Sequence, residues 1–432
     1  MPSDAVPTDP ARATGTPSAG AAAAPRRPLP RFADDASRYG HYARMRRERP
    51  VERDPESGLW HAYRYAEVQE VLGEHSRFSS RTAFAPRPAP GGPPGGGAAG
   101  APLGSFADSL INIDPPRHTR LRALVSRAFT PRAVAALEGT VAELARDLLE
   151  AVAPLGRMDV IADLAGPLPV IVIAGLLGVP ASDRPLFKRW SDLLVGADGP
   201  DPVAGGAGPG AARAHAQAEL VDYFRAAVRD KRRRPGDDVL SALLAAQPDG
   251  EDLSDAELFG FCTLLLVAGH ETTTNLVGNG FLCLLQHPEA ADRLRGEPGL
   301  VPSAVEEVLR FSSPVQAMFR VAAADTELAG RAIRAGERVA AWIGSANRDE
   351  CVFAEPERFY PARSPNRHLA FGTGVHFCLG APLARMEGRI VLGEMLRRLR
   401  APRFDPDEAP EWSPGFVRGV RRFPLRFEAV GG

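Results

Sequence analysis

Cys378 lies in the stretch "AFGTGVHFCLGAPLAR", among three glycines, two phenylalanines and a histidine. Those residue types admit a buried thiol, a nucleophile or a metal ligand. A lone cysteine is most often a small buried hydrophobe. Here, however, Gly372 and Gly374 permit tight turns and the close approach of a flat ligand. The apolar periodicity from Ala381 predicts a helix that begins just after the cysteine. A thiolate at a helix N-terminus is stabilised by unpaired amides and by the helix dipole, which suits an anionic sulfur ligand. A nucleophile would need a general base, and His376 is the local candidate. The ligand reading accounts for more of the glycines.

A second set of reactive types stands in "LLLVAGHETTT", residues 264–274, where Glu271 and Thr272 interrupt an apolar run. Polar residues in such a run are usually satisfied structural groups, but an acid and a hydroxyl in succession carry a desolvation cost that points to a site. In "EEVLR", Glu307 and Arg310 share a helical face, a weak signal because most such pairs are solvated. The segment "DPPRHTRLRALVSRAFTPR", residues 114–132, reads as a basic amphipathic helix.

The pattern F-G-x-G-x-H-x-C-x-G from Phe371 to Gly380 resembles the haem-binding loop of the cytochrome P-450 family. The resemblance implies that Cys378 is the proximal thiolate of haem b, that Phe371 packs near the sulfur within a loop shaped by Gly372 and Gly380, and that His376 donates to a haem propionate. The segment from Ala268 to Thr272 is similar to the family's A-G-x-[DE]-T motif. By that likeness Ala268 and Gly269 leave room for dioxygen, Thr272 engages dioxygen and water, and Glu271 feeds in protons. Thr273 and Thr274 are structural. Leu264, Val267 and Ala268 would face substrate, together with Val315 and Met318. Glu307 and Arg310 resemble the family's E-x-x-R pair, which Arg363 joins to hold the proximal loop; Tyr360 stands where the family usually has aspartate. His118, Arg122 and Arg320 match propionate partners. Arg120, Arg127, Arg132, Arg385 and Arg389 would form a docking patch for an acidic ferredoxin.

The elements that must position these groups are mainly helical. Apolar residues recur at three- and four-residue spacing in "TPRAVAALEGTVAELARDLLEAVA", "AHAQAELVDYFRAAVRDKRRR", "DDVLSALLAA", the stretch from Leu253 to Gln286, and "VPSAVEEVLRF". Strand-like alternation is confined to "GLWHAYRY", the region from Phe319 to Ile343, and "RFPLRFEAV". The fold class is therefore mainly α with a smaller β portion, and the resemblance implies the triangular P-450 prism crossed by a long distal helix. Residues 1–32, rich in Ala and Pro, read as a disordered tail ahead of one haem domain over 33–432. The Gly/Pro-rich stretches 85–104 and 196–210 read as mobile binding loops within it.

The formal charge of −1 gives no reason to expect nucleic acid or an anionic membrane as partner. The four cysteines lack paired spacing, which argues against a disulfide framework or structural zinc and fits a cytoplasmic setting. No apolar run reaches the roughly 18–20 residues of a membrane helix.

The expectation is a soluble, monomeric monooxygenase served by a ferredoxin and an NAD(P)H-dependent ferredoxin reductase. It would insert one atom of dioxygen into an apolar secondary metabolite such as a polyketide, macrolide or terpenoid. A steroid or fatty-acid hydroxylase, a haem-thiolate enzyme of peroxide-driven or C–C coupling chemistry, a silent haem-binding recruitment protein and a thiol hydrolase using Cys378 and His376 are the competing readings.

Overall fold

The computed structural model describes residues 32, 34–81, 109–195, 211–245, 253–413 and 415–428. The expected binding loops at 85–104 and 196–210, and the tail up to residue 31, lie outside the described residues.

In chain order the helices are α1 (Asp35–Glu48), α2 (Tyr65–Gly73), α3 (Arg117–Ala128), α4 (Pro131–Ala135), α5 (Glu138–Val152), α6 (Pro167–Leu176), α7 (Arg184–Val195), α8 (Ala211–Arg233), α9 (Val239–Ala245), α10 (Asp255–Gln286), α11 (Pro288–Gly296), α12 (Val301–Phe311), α13 (Ile343–Ala346) and α14 (Ala381–Arg398). Each helix expected from periodicity is present. The longest, α10, starts at a reciprocal capping box between Ser254 and Glu257, which satisfies two amides that would otherwise be orphaned.

Strands β1 (Val51–Arg53), β2 (Trp60–Ala62), β3 (Phe78–Ser79), β4 (Arg157–Asp159), β5 (Met318–Ala322), β6 (Thr326–Leu328), β7 (Arg331–Ile333), β8 (Arg338–Ala341), β9 (Arg400–Phe404), β10 (Glu411–Trp412), β11 (Val420–Arg422) and β12 (Pro424–Glu428) are short. One sheet has the order β1-β2-β8-β5-β3, with β2 parallel to β8 and the other pairs antiparallel. A second has the order β4-β12-β9, and β6–β7 and β10–β11 are hairpins. The main apolar core lies among the helices; smaller clusters sit under the first sheet.

Two contacts matter most for the site. α10 packs on α6, where a Cβ on Gly269 would come within 2.6 Å of Ile173. The close crossing of α6 calls for a small residue at Gly269. α10 also packs on α14, the helix that follows the cysteine loop. Among the described residues no helix is long and apolar enough to cross a membrane.

Candidate active site

α10 is buried over most of its length, but Leu264, Val267, Ala268, Glu271 and Thr272 keep accessible surface. Their spacing puts them on one helical face, so a continuous stripe of a core helix is left uncovered. The apolar and the reactive residues picked out from the sequence therefore share one wall. Thr272 Oγ1 donates to the Ala268 carbonyl at 2.6 Å, so its proton is spent within the helix and its lone pairs are what it presents outward. Burial is the influence acting on Glu271, and it pushes the carboxyl up to about 7.

The flanking polar residues are turned elsewhere. Thr274 Oγ1 donates to the Ala165 carbonyl at 3.0 Å, and the Thr273 hydroxyl meets Glu387 of α14. Both are structural, as expected. His270 Nδ1 lies 2.6 Å from Ser191 Oγ of α7, and its ring also hydrogen-bonds the Gly166 backbone. Burial keeps this ring neutral, down at about 4.

The cysteine loop is shaped by its backbone. Gly372 and Gly374 have φ of 69° and 67°, left-handed values that favour glycine. At Gly374 a Cβ would also fall 3.0 Å from the Gly73 carbonyl oxygen. That glycine thus lets the loop lie against the end of α2. The Cys378 N–H donates to the Phe371 carbonyl at 2.9 Å. Burial pushes the Cys378 thiol up, while the Gly380 and Ala381 amides, Arg122 and Arg385 pull it down; burial wins. The expected help from the helix terminus is present.

Beside this loop His118, Arg122, Arg320 and His376 converge. The two imidazole rings have centroids 4.3 Å apart, and burial holds His118 at about 4 and His376 at about 3. His118 is buried, and neither of its ring nitrogens has a hydrogen-bond partner among the described residues. Arg320, also buried, donates to its neighbour's carbonyl, that of Phe319, at 2.8 Å. Burial lowers its guanidinium to about 10, with Asp114 opposing. Asp114 itself accepts from Ser79 Oγ and from the Ser80 amide. Arg122 has no ion pair among the described residues. His376 Nε2 lies 3.0 Å from Ser80 Oγ.

Support comes from α12. Glu307 and Arg310 are both fully buried and make two parallel bonds of 2.8 Å. Arg363 Nε donates to both Glu307 oxygens at 3.1 Å, and the Tyr360 amide donates at 2.9 Å. The missing aspartate is thus immaterial at Tyr360, whose main chain makes the contact. The expected docking patch is largely committed: Arg120 pairs with Glu257, Arg389 with Glu138 and Arg385 with Glu306. Arg127 and Arg132 remain exposed.

The family model "Cytochrome P450" matches residues 211–425. The chain is 42% identical over 387 residues to "Cytochrome P450 109" of Bacillus spizizenii, spanning 89% of this chain and 90% of that one. The chain belongs to the cytochrome P450 family. It is 39% identical over 406 residues to "Erythromycin C-12 hydroxylase" of Saccharopolyspora erythraea, covering 92% of this chain and 96% of the relative. Its structure is similar to that of substrate-free CYP109E1 from Bacillus megaterium, with a TM-score of 0.83, 40% identity and coverage of 92% and 100%. This P450 is a monooxygenase of a family that binds haem through a cysteine thiolate.

The residues present fit that group. The unpartnered buried ring of His118, with the Arg122 and Arg320 guanidiniums that have no ion pair among the described residues, matches a ligand that brings carboxylates into the protein. Three features of the P450 site escaped the sequence reading. Glu387, 2% exposed, is pushed up to about 8 by burial, Thr273 opposing. Val417 forms an isolated β-bridge with Val315. Glu306 was passed over beside Glu307. Of these, the paired acids in "EEVLR" carried a signal; the other two depend on long-range packing.

Proposed function

We propose that Cys378 binds the iron of haem b and that this P450 inserts one oxygen atom of dioxygen into an apolar secondary metabolite, of polyketide, macrolide or terpenoid type. The uncovered stripe of α10 carries the reading, because it joins Leu264, Val267 and Ala268 to Glu271 and Thr272 on one wall. The likeness to a relative named for hydroxylating erythromycin supports the substrate class. When bound, haem supplies the reductive activation of dioxygen.

The chain's own residues do the rest. His118, Arg122, Arg320 and His376 would hold the haem carboxylates, Phe371, Gly372 and Gly380 would shape the loop around the sulfur, and Ala268 would leave the facing α10 wall low. Leu264, Val267, Val315 and Met318 orient the substrate by apolar contact and exclude water. Thr272 presents lone pairs that accept a proton-bearing partner. Glu271 takes protons from solvent and passes them on at its carboxyl. A ferredoxin and its NAD(P)H-dependent reductase supply electrons, and Arg127 and Arg132 are the arginines left open to meet an acidic partner.

Screening macrolide, terpenoid, steroid and fatty-acid libraries for the spectral change of water displacement tests the substrate class. A macrolide or terpenoid is expected to bind and to gain one atom from isotopically labelled dioxygen. Tight binding confined to steroids or fatty acids would overturn it.

The Glu271→Gln variant is expected to lose product formation by about 100-fold. Wild-type turnover falls as pH rises through about 7, where the acid form is lost, and the variant's does not. Stability runs the same way. A carboxyl raised by burial holds its proton more tightly in the folded state, so stability is lost as pH rises from the ordinary carboxylate range through about 7. Glutamine does not ionise, so above that pH the variant unfolds no more easily than wild type. A variant that is both active and less stable would assign Glu271 a structural role.

A further inference from the structure

We propose that Glu306, His368 and Arg385 form a second bracket around the cysteine loop, setting the position of the Cys378 sulfur and the charge around it. The inference rests on Cys378 being the haem ligand. Glu306 and Glu307 are neighbours on α12, yet they hold different parts of the chain. Glu307 takes the segment well before the loop, through Tyr360, Arg363 and Asn366. Glu306 takes the two residues that enter and leave it.

Arg385, in the second turn of α14, reaches Glu306 with a fork of two bonds at 2.8 Å. His368 Nε2 lies 3.1 Å from the same carboxylate, while His368 Nδ1 accepts the Ala370 N–H at 3.3 Å. That acceptor role puts the ring proton on Nε2, so His368 donates to Glu306. The Arg385 guanidinium lies 4.5 Å from the centroid of the Phe371 ring. Phe371 in turn accepts the Cys378 N–H. Contact therefore runs from Glu306 through Arg385 and Phe371 to the cysteine.

The charges fit this arrangement. Burial opposes ionisation of Glu306, but His368 and Arg385 outweigh it and hold the carboxyl at about 2, so the clasp persists at any working pH. Stacked on Phe371, whose carbonyl takes the Cys378 N–H, Arg385 carries its charge on the cysteine loop. A long arginine is mobile unless held, and here the fork and the ring fix it on one side of the sulfur. Glu306 also occupies the guanidinium that an acidic redox partner would otherwise meet, which removes Arg385 from the expected docking patch.

The test uses the haem-loaded protein and two readouts that need no partner: the iron reduction potential, titrated with small-molecule mediators, and hydrogen exchange of the amides from Phe371 to Cys378. In Arg385→Ala a positive charge beside the thiolate is gone, so the iron is harder to reduce. The reduced-to-oxidised ratio at fixed potential falls about three- to tenfold. Loop exchange quickens about fivefold or more in Arg385→Ala and in Glu306→Gln, and the double variant is no faster than the faster single one. Arg385→Lys keeps the charge but not the fork, so it restores the potential and not the slow exchange.

If Arg385→Ala does not retain haem, Arg385→Lys and Glu306→Gln carry the exchange test alone. An unmoved potential and unmoved exchange, with salt-dependent slowing of reduction by ferredoxin, would make Arg385 a docking residue and overturn the bracket. Cys378→Ser separates the two readings. If it keeps the thiolate spectrum, the ligand assignment fails; if it loses that spectrum while Arg385→Ala changes nothing, only the bracket fails.

Discussion

Cys378→Ser yields a protein whose reduced, carbon-monoxide-bound spectrum lacks the strongly red-shifted Soret band of thiolate ligation, and whose turnover drops by about 10³-fold or more. The cause is proton affinity. Burial already raises the cysteine thiol, and the Gly380 and Ala381 amides, Arg122 and Arg385 offset that only in part. A serine hydroxyl in the same place starts far less acidic and stays neutral, so it offers no anion to a metal. The fold itself survives, because the loop is held by main-chain bonds, Cys378 N–H to Phe371 among them, that do not involve the sulfur. Persistence of the red-shifted band in the serine variant would refute the assignment of Cys378 as ligand.

Glu307→Ala acts on stability. The carboxylate is fully buried and satisfies Arg310, Arg363, Asn366 and the Tyr360 amide at once. Removing it strands a fully buried guanidinium, for which about 3–5 kcal/mol of destabilisation is expected. That is a large part of the roughly 5–15 kcal/mol by which domains are stable. Denaturant unfolding of the haem-loaded protein should move to lower denaturant, with haem released earlier. Glu307→Gln keeps the shape and one acceptor oxygen but turns the other into an N–H donor facing donors, so it should fall between. An alanine variant within about 1 kcal/mol of wild type would show that the network does not hold the proximal side.

These two sites differ in how they could be read. Cys378, His376 and the glycines form one short local pattern, and the helix that must follow is legible from apolar spacing. The stripe Leu264, Val267, Ala268, Glu271 and Thr272 is equally local, since helical geometry alone puts those positions on one face. Glu307 and Arg310 sit a turn apart, so their pairing was visible, and Arg363 was reached through the family resemblance.

Partner choice across the fold was not visible. Arg385 reads as a free surface cation until α12 brings Glu306 to it. Glu387 reads as one more charged residue on α14 until α10 covers it and burial raises its carboxyl to about 8. Gly269 and Gly374 are both small because another element crosses there, α6 in one case and the end of α2 in the other.

The sequence by itself therefore determined the helical class, the loop pattern that carries the family resemblance and the residues that share one face of α10. Each of these follows from residue types at short spacing along one element. Only the tertiary structure decided which acid grips which arginine, which glycine is needed for packing, and which buried donors are left without acceptors. Those outcomes depend on where distant elements cross and on how much water each crossing excludes, neither of which residue spacing records.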